Sequence, residues 1–135
     1  MIMPFSKEFD ELYHNTIRPL VNEVPLVILR GDEFTSTRGI VMEEVWAALN
    51  QCRFVIAEIT GGNDNVFYEL GIAHTLNKPA ILITQAKEPL DVAFDIRHLR
   101  YIQYRNNTAG LKALAEELKV SITRLITDLE EGWGS

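Results

Sequence analysis

Apolar runs of strand length alternate along the chain with segments whose apolar residues recur at helical spacing. The strand-like runs cover residues 1–3, 25–29, 53–59, 80–84 and 101–104. Helical spacing covers residues 6–21, 35–50, 66–76 and 108–129. This alternation is typical of a parallel sheet with helices on both faces. We therefore predict one α/β domain over residues 1–135, a three-layer, flavodoxin-like or Rossmann-like sheet of about five parallel strands.

The carboxyl ends of the predicted strands select candidate binding residues, because ligands of doubly wound sheets bind beyond those ends. The residues that follow strands one, two and four, or lie in the loop after strand three, are Pro4, Phe5, Ser6, Arg30, Asp32, Gly61, Asn63, Asn65 and Gln85. We predict that they line a substrate pocket. Arg30 and Asp32 could hold ribose hydroxyls or a phosphate, and an ordinary surface ion pair is the alternative for them.

Glu69 does not fit the helix face on which its spacing places it. Val66, Leu70 and Ala73 form the core-facing arc of the predicted helix 66–76, and Glu69 falls inside that arc. A carboxylate there is costly unless it is paired, protonated or facing a cavity. Asn65 is a suitable N-cap, which would place Glu69 near the positive end of the helix dipole. The alternatives are that Glu69 forms an ion pair with an arginine of another element or simply helps to start the helix.

Glu58 ends the third predicted strand, and a Gly/Asn-rich loop separates it from Glu69. Two carboxylates that converge on one strand-end cleft can act as general acid/base and nucleophile. The alternative for Glu58 is a rim position that points to solvent. We treat Glu58 and Glu69 as the candidate catalytic residues.

Charge and cysteine content narrow the classes of partner. The net charge of −6 over 135 residues disfavours nucleic acid and anionic membranes, because both require clustered Lys and Arg. No apolar stretch approaches the roughly 18 residues of a membrane span. Cys52 is the only cysteine, so no internal disulfide can form and a cytoplasmic location is expected. The chain has no metal-ligand spacing and no glycine-rich dinucleotide or phosphate motif, so we predict neither a metal nor another cofactor.

Residues 54–74, FVIAEITGGNDNVFYELGIAH, resemble the nucleoside 2-deoxyribosyltransferase superfamily, and most of all its branch of TIR-like, predicted nucleotide-binding proteins. Three further stretches extend the resemblance in the order of the family: residues 1–6, 78–83 and 94–101. In the transferases, the glutamate of the Glu-Leu-Gly element attacks the anomeric carbon of an N-glycoside and displaces the base. The resemblance assigns that role to Glu69.

The resemblance also assigns Glu58 the task of orienting the departing base or protonating it, although the family more often has Asp there. It implies a small nucleoside, nucleotide or NAD-type substrate, and either water or a second base could accept the sugar. A homo-oligomer is compatible with it, since transferases of this type complete their sites across subunits. A module that binds or senses a nucleotide without turnover is the alternative function.

Overall fold

The computed structural model describes residues 1–3, 7–22, 42–62, 64–85 and 101–131. The helices are α1 (Lys7–Leu12), α2 (Met42–Gln51), α3 (Asp64–Thr75) and α4 (Thr108–Glu130). The strands are β1 (Val55–Glu58), β2 (Ala80–Thr84) and β3 (Tyr101–Gln103). A short 3-10 turn, Thr60–Gly62, joins β1 to the segment before α3. These elements confirm the predicted α/β class.

The three strands form one parallel sheet in the order β1-β2-β3. On the free side of β1, Ile2 forms a parallel bridge with Ala57. Its N–H donates to Ile56 O at 2.8 Å, and its carbonyl accepts from Glu58 N–H at 2.9 Å. The predicted first strand is therefore a single bridging residue in the structure. The predicted strand 25–29 lies outside the described residues.

The alternation of side chains along the strands separates two apolar clusters. The α4 cluster contains Met3, Phe9, Leu12, Tyr13, Ile17, Leu20, Ile56, Ile81, Ile83, Ile102, Tyr104, Leu114, Leu118 and Ile122. The α3 cluster contains Ile2, Leu49, Val55, Ala57, Ile59, Val66, Leu70, Ala73 and Leu82. Every residue of β1 is buried, as its continuous apolar run predicts. Glu58 has the same parity as Ile56, so its side chain points to the α4 side of the sheet.

The first helix departs from the regular α-helix predicted for residues 6–21. After α1 the chain widens into a π-helical segment, Tyr13–Ile17, and then tightens into a 3-10 segment, Arg18–Asn22. Pro19 lies in the tightened segment. Proline has no N–H to donate and its ring clashes with the carbonyl four residues earlier, so regular winding cannot continue there. The apolar face survives the change, because Phe9, Tyr13 and Leu20 are buried as predicted.

Cys52 lies between α2 and β1 and is half-buried rather than fully buried. Its thiol donates to Leu49 O at 3.1 Å. Burial raises the pKa of the thiol, which leaves it a weak nucleophile. In the part of the chain that the structure describes, no helix combines the length and the apolar character that crossing a membrane requires.

Candidate functional site

Six polar side chains meet where the three strands end. They come from α1, from the carboxyl ends of β1 and β2, and from the segment between β3 and α4. Their members, which we call the strand-end network, are Glu8, Glu58, Thr60, Gln85, Tyr104 and Asn106. The network lies at the sheet edge that the rule for doubly wound folds selects as a ligand site.

Glu58 is the buried centre of this network, with a side chain that is 0% exposed. Its Oε1 accepts a hydrogen bond from Thr60 N–H at 2.6 Å, and its Oε2 accepts one from the Tyr104 hydroxyl. Both carboxylate oxygens therefore have donors within the protein. The rim position that was the alternative for Glu58 is wrong, because the backbone parity of β1 directs this side chain inward.

Gln85 connects the buried centre to the surface. Its Nε2 donates to Tyr104 Oη at 3.2 Å and to Glu8 Oε1 at 2.8 Å, while its backbone N–H donates to Thr60 Oγ1 at 2.9 Å. Asn106 Nδ2 also donates to Glu8 Oε1, at 3.1 Å. Every buried side-chain nitrogen and oxygen atom of the described residues has a hydrogen-bond partner. The network thus satisfies its own buried groups.

Burial raises the pKa of the two buried acids of the network, Glu58 and Tyr104. Burial raises the pKa of the Glu58 carboxyl above its ordinary value, and the charge of Glu8 adds to the rise. The hydrogen bonds from Thr60 and Tyr104 act in the opposite direction. Burial, followed by the neighbouring charge of Glu58, raises the pKa of the Tyr104 phenol far above the neutral range. The Tyr104 phenol therefore keeps its proton at neutral pH and can donate it in a hydrogen bond to Glu58.

Glu69 lies on α3 between the buried residues Val66, Leu70 and Ala73, and it is half-buried itself. Burial raises the pKa of its carboxyl, and the positive charge of the N-terminal ammonium partly offsets the rise. Among the described residues, none makes a hydrogen bond to this carboxylate. The helical spacing predicted a carboxylate on the core-facing arc of this helix. This prediction is confirmed, because the side chain of Glu69 is partly removed from water.

The start of α3 differs from the prediction that Asn65 caps the helix. The helix begins at Asp64, so Asn65 is an exposed residue of its first turn. Glu69 consequently lies in the second turn, where the helix dipole has less influence than at the first. Asn65 itself lies inside the helix, with the helical residues Asp64 and Val66 on either side of it. His74 of the same helix is exposed.

Of the predicted binding residues, the structure brings Gln85 into the same network as Glu58, and it places Gly61 directly after Thr60. Gly61 is exposed, has a φ of +81°, and no described atom lies within 4 Å of the position of a Cβ there. Glycine adopts this left-handed backbone without strain. The remaining candidates, Pro4, Phe5, Ser6, Arg30, Asp32 and Asn63, lie outside the described residues.

Glu58 and Glu69 come from opposite faces of the sheet. Glu58 contacts Tyr104 of the α4 cluster, whereas Glu69 is carried by α3, whose buried residues belong to the other cluster. Each of the two carboxylates therefore has its own surroundings. A ligand that touches both would have to reach around the carboxyl edge of β1, past the Thr60–Gly62 turn.

Sequence reasoning missed Tyr104, Glu8 and Asn106 as members of the site. Tyr104 ends a predicted strand, so the strand-end rule could have selected it together with Gln85. Its partner Glu58 is 46 residues away, and periodicity gives no information on such a pairing. Glu8 belongs to the first turn of α1, and nothing in the sequence marked it as a site residue except its closeness to the first predicted strand.

No group of three or more His, Cys, Asp or Glu residues in the described ranges is arranged to hold a metal ion. Comparison of the chain with family models, with curated proteins and with solved structures found no significant match. Assignment of a function therefore depends on the residues and their geometry, and on the resemblance carried by residues 54–74.

Proposed function

We propose that the protein cleaves or transfers the N-glycosidic bond of a nucleoside, a nucleotide or an NAD-type dinucleotide, with Glu69 as the nucleophile. The observation that carries the proposal is the half-buried Glu69 carboxylate on α3, to which no described residue donates a hydrogen bond. Partial burial of a carboxylate is costly, and active sites are where such costs are found. The Glu-Leu-Gly element of the resemblance supplies the chemistry.

The proposed reaction proceeds by two displacements. A carboxylate oxygen of Glu69 forms a bond to the anomeric carbon, and the carbon–nitrogen bond to the base breaks. The base keeps the electron pair. The base of a nucleoside or nucleotide then takes up a proton from solvent or from a protein acid, whereas the pyridinium of an NAD-type substrate leaves as neutral nicotinamide and needs none. Water or a second base then attacks the glycosyl ester and restores the carboxylate of Glu69. One difficult displacement is thereby divided into two easier ones.

The proposed site extends along the carboxyl edge of the sheet. Near this edge, the backbone of Gly61 and of the first turn of α3 is accessible to a ligand. The proposed pocket is completed by the candidates Pro4, Phe5, Ser6, Arg30, Asp32 and Asn63. In the full proposal the strand at residues 25–29 pairs beside Ile2, which gives five strands with helices on both faces. The observed order of Ile2, β1, β2 and β3 is compatible with that arrangement.

Release of free base, measured by chromatography, tests this proposal. The purified protein is incubated with NAD, with a panel of deoxynucleosides and with their 5′-monophosphates. We expect base release by the parent, and a loss of at least about a thousandfold in Glu69→Gln, because the nucleophile is removed. Glu117→Gln is the matched control, since Glu117 is an exposed residue of α4. Equal rates in the parent and in Glu69→Gln would exclude Glu69 as the nucleophile.

A nucleotide-binding module without turnover is the second candidate function. It is favoured by Glu58, whose two oxygens are both occupied by protein donors, so that the acid expected to assist the departing base is engaged elsewhere. This alternative predicts saturable binding of a nucleotide, measured by isothermal titration calorimetry. It also predicts that no base appears at protein concentrations at which binding is evident.

A further inference from the structure

We propose that Glu58 is a positioning residue, which acts through Thr60 and Tyr104 to hold the turn between β1 and α3 in place. This inference rests on the proposed function, in which that turn leads to the helix of Glu69. A general acid has to reach the atom that it protonates. Glu58 is 0% exposed, and its two oxygens contact Thr60 and Tyr104, so its influence on a ligand passes through those two residues.

Thr60 is the point at which the network holds the turn. Its N–H donates to Glu58 Oε1 at 2.6 Å, and its Oγ1 accepts from Gln85 N–H at 2.9 Å. Thr60 is thereby fixed to β1 on one side and to the end of β2 on the other. The turn continues through the exposed, left-handed Gly61, and α3 begins at Asp64. The orientation of Thr60 therefore sets the path of the chain into α3.

Tyr104 fixes the other oxygen of Glu58. Its backbone N–H donates to Thr84 O at 3.0 Å, so the ring is held by the edge of the sheet as well as by its own burial. Its hydroxyl donates to Glu58 Oε2 and accepts from Gln85 Nε2. An ionised Glu58 can accept from Thr60 and Tyr104 together. A protonated Glu58 carries a hydrogen of its own, so one of these two bonds has to change.

The position of the turn is therefore coupled to the charge of Glu58. Among the described residues, the titratable groups that face Glu58 are Tyr104, which directly follows β3, and Glu8 from α1, and neither is basic. Because Tyr104 stabilises the ionised form, its removal should make Glu58 protonate at higher pH. A residue that only filled space at this position would not move a titration in this way.

Tyr104→Phe tests the inference, with Tyr101→Phe as the matched control. Tyr101 is the first residue of β3 and Tyr104 directly follows the strand. Tyr101 is exposed, whereas Tyr104 is buried. Base release from NAD and from the deoxynucleoside 5′-monophosphates is measured as kcat and KM across the neutral and acidic range. The backbone amide signals of Thr60 and Gly61 are followed by NMR over the same pH range without any ligand.

We expect Tyr104→Phe to lower kcat by about tenfold or more, because small displacements of catalytic groups reduce rates steeply. The acidic limb of its pH profile, and the midpoint at which the Thr60 amide signal changes, should both move to higher pH. Tyr101→Phe should match the parent in all three respects. Thr60→Val provides a second variant should Tyr104→Phe fail to fold. It removes the hydroxyl that accepts from Gln85 N–H and that also lowers the pKa of Glu58, so it should lower kcat in the same direction.

The outcomes separate this inference from the proposed function. A parent that releases base, with Tyr104→Phe and Thr60→Val identical to it in kcat and with an unmoved amide midpoint, would overturn the positioning role and leave the proposed function intact. A parent that releases no base, but whose Thr60 amide midpoint rises in Tyr104→Phe, would overturn the proposed function and support the role of Glu58. An amide signal that does not titrate in the parent would overturn the coupling.

Discussion

Asn107 shows at the scale of one residue how a side chain sets the start of a helix. It precedes α4, adopts an extended backbone, and its Oδ1 accepts from Gly110 N–H at 2.7 Å. The first N–H groups of a helix have no partner within the helix, and an N-cap side chain supplies one. Asn106, its neighbour, instead donates to the exposed Glu8. The two asparagines differ in function although they are adjacent.

We expect Asn107→Ala to lower the free energy of unfolding by about 1 kcal/mol, because it removes the cap of the 23-residue α4. Asn106→Ala should change it by less than about 0.5 kcal/mol, since it removes only an exposed hydrogen bond. Urea denaturation followed by circular dichroism measures both values. Equal losses in the two variants would mean that the cap contributes no more than a surface contact.

Single residues also show where sequence reasoning ends. The arc of Val66, Leu70 and Ala73 could be predicted because helical spacing fixes which residues share a face, and all three are buried. The strand period likewise fixes the face to which Glu58 points. It does not fix what Glu58 meets there, because Tyr104 is supplied by a distant part of the chain. Spacing identifies a costly residue, and only tertiary structure identifies its partner.

Among the elements, α3 and α4 each contain a glycine, and the surroundings of the two residues differ. A Cβ at Gly110 would lie 2.1 Å from the carbonyl oxygen of Arg105, so the chain before α4 passes too close for any side chain. At Gly71 no described atom lies within 4 Å of the Cβ position. Among the described residues, no close approach of another group therefore requires glycine at position 71.

Gly71→Ala and Gly110→Ala should change stability in opposite directions. Alanine at position 71 is expected to raise the free energy of unfolding by about 0.5–1 kcal/mol, because glycine in a helix interior costs conformational entropy. Alanine at position 110 should lower it by about 1–3 kcal/mol, because the backbone of Arg105 has to move. Thermal unfolding of both variants beside the parent measures the difference. A loss of stability in Gly71→Ala would show that a group outside the described residues occupies the space beside it.

The elements with strong periodicity were predictable to within a few residues. The strand predicted at 80–84 is β2 (Ala80–Thr84), and the helix predicted at 108–129 is α4 (Thr108–Glu130). The position of the first helix and the face that it buries could be predicted, but its departure from regular α-helical winding could not. Its π-helical and 3-10 segments lie at and before Pro19. Proline has no backbone N–H to donate, and this constraint prevents the regular α-helix that the apolar spacing predicts. Periodicity reports the face of an element, and it carries less information on how the backbone accommodates a proline.

At the scale of the whole molecule, burial acts in one direction on every acid of the described residues whose pKa is shifted. It raises the pKa of Glu58, Glu69, Cys52 and Tyr104. For such a group, the stabilising contribution is complete below the pKa of the unfolded chain, about 4.3 for a glutamate. It is lost as the pH rises through the higher pKa of the folded state. The two glutamates lose it first, and the thiol and the phenol follow at alkaline pH.

We therefore expect the free energy of unfolding to fall as the pH rises above about 4.3, the pKa of Glu58 and Glu69 in the unfolded chain. Urea denaturation at constant ionic strength measures this slope, and it starts above the pI of about 5.0, where a low net charge would promote association. Glu58→Gln should flatten the slope because it removes a buried acid that titrates, whereas the exposed Glu117→Gln should retain it. A parent that is more stable at the alkaline end would mean that partners of the buried carboxyls outside the described residues stabilise their charged forms. The sign of one slope thus decides whether burial or pairing dominates the electrostatics of this fold.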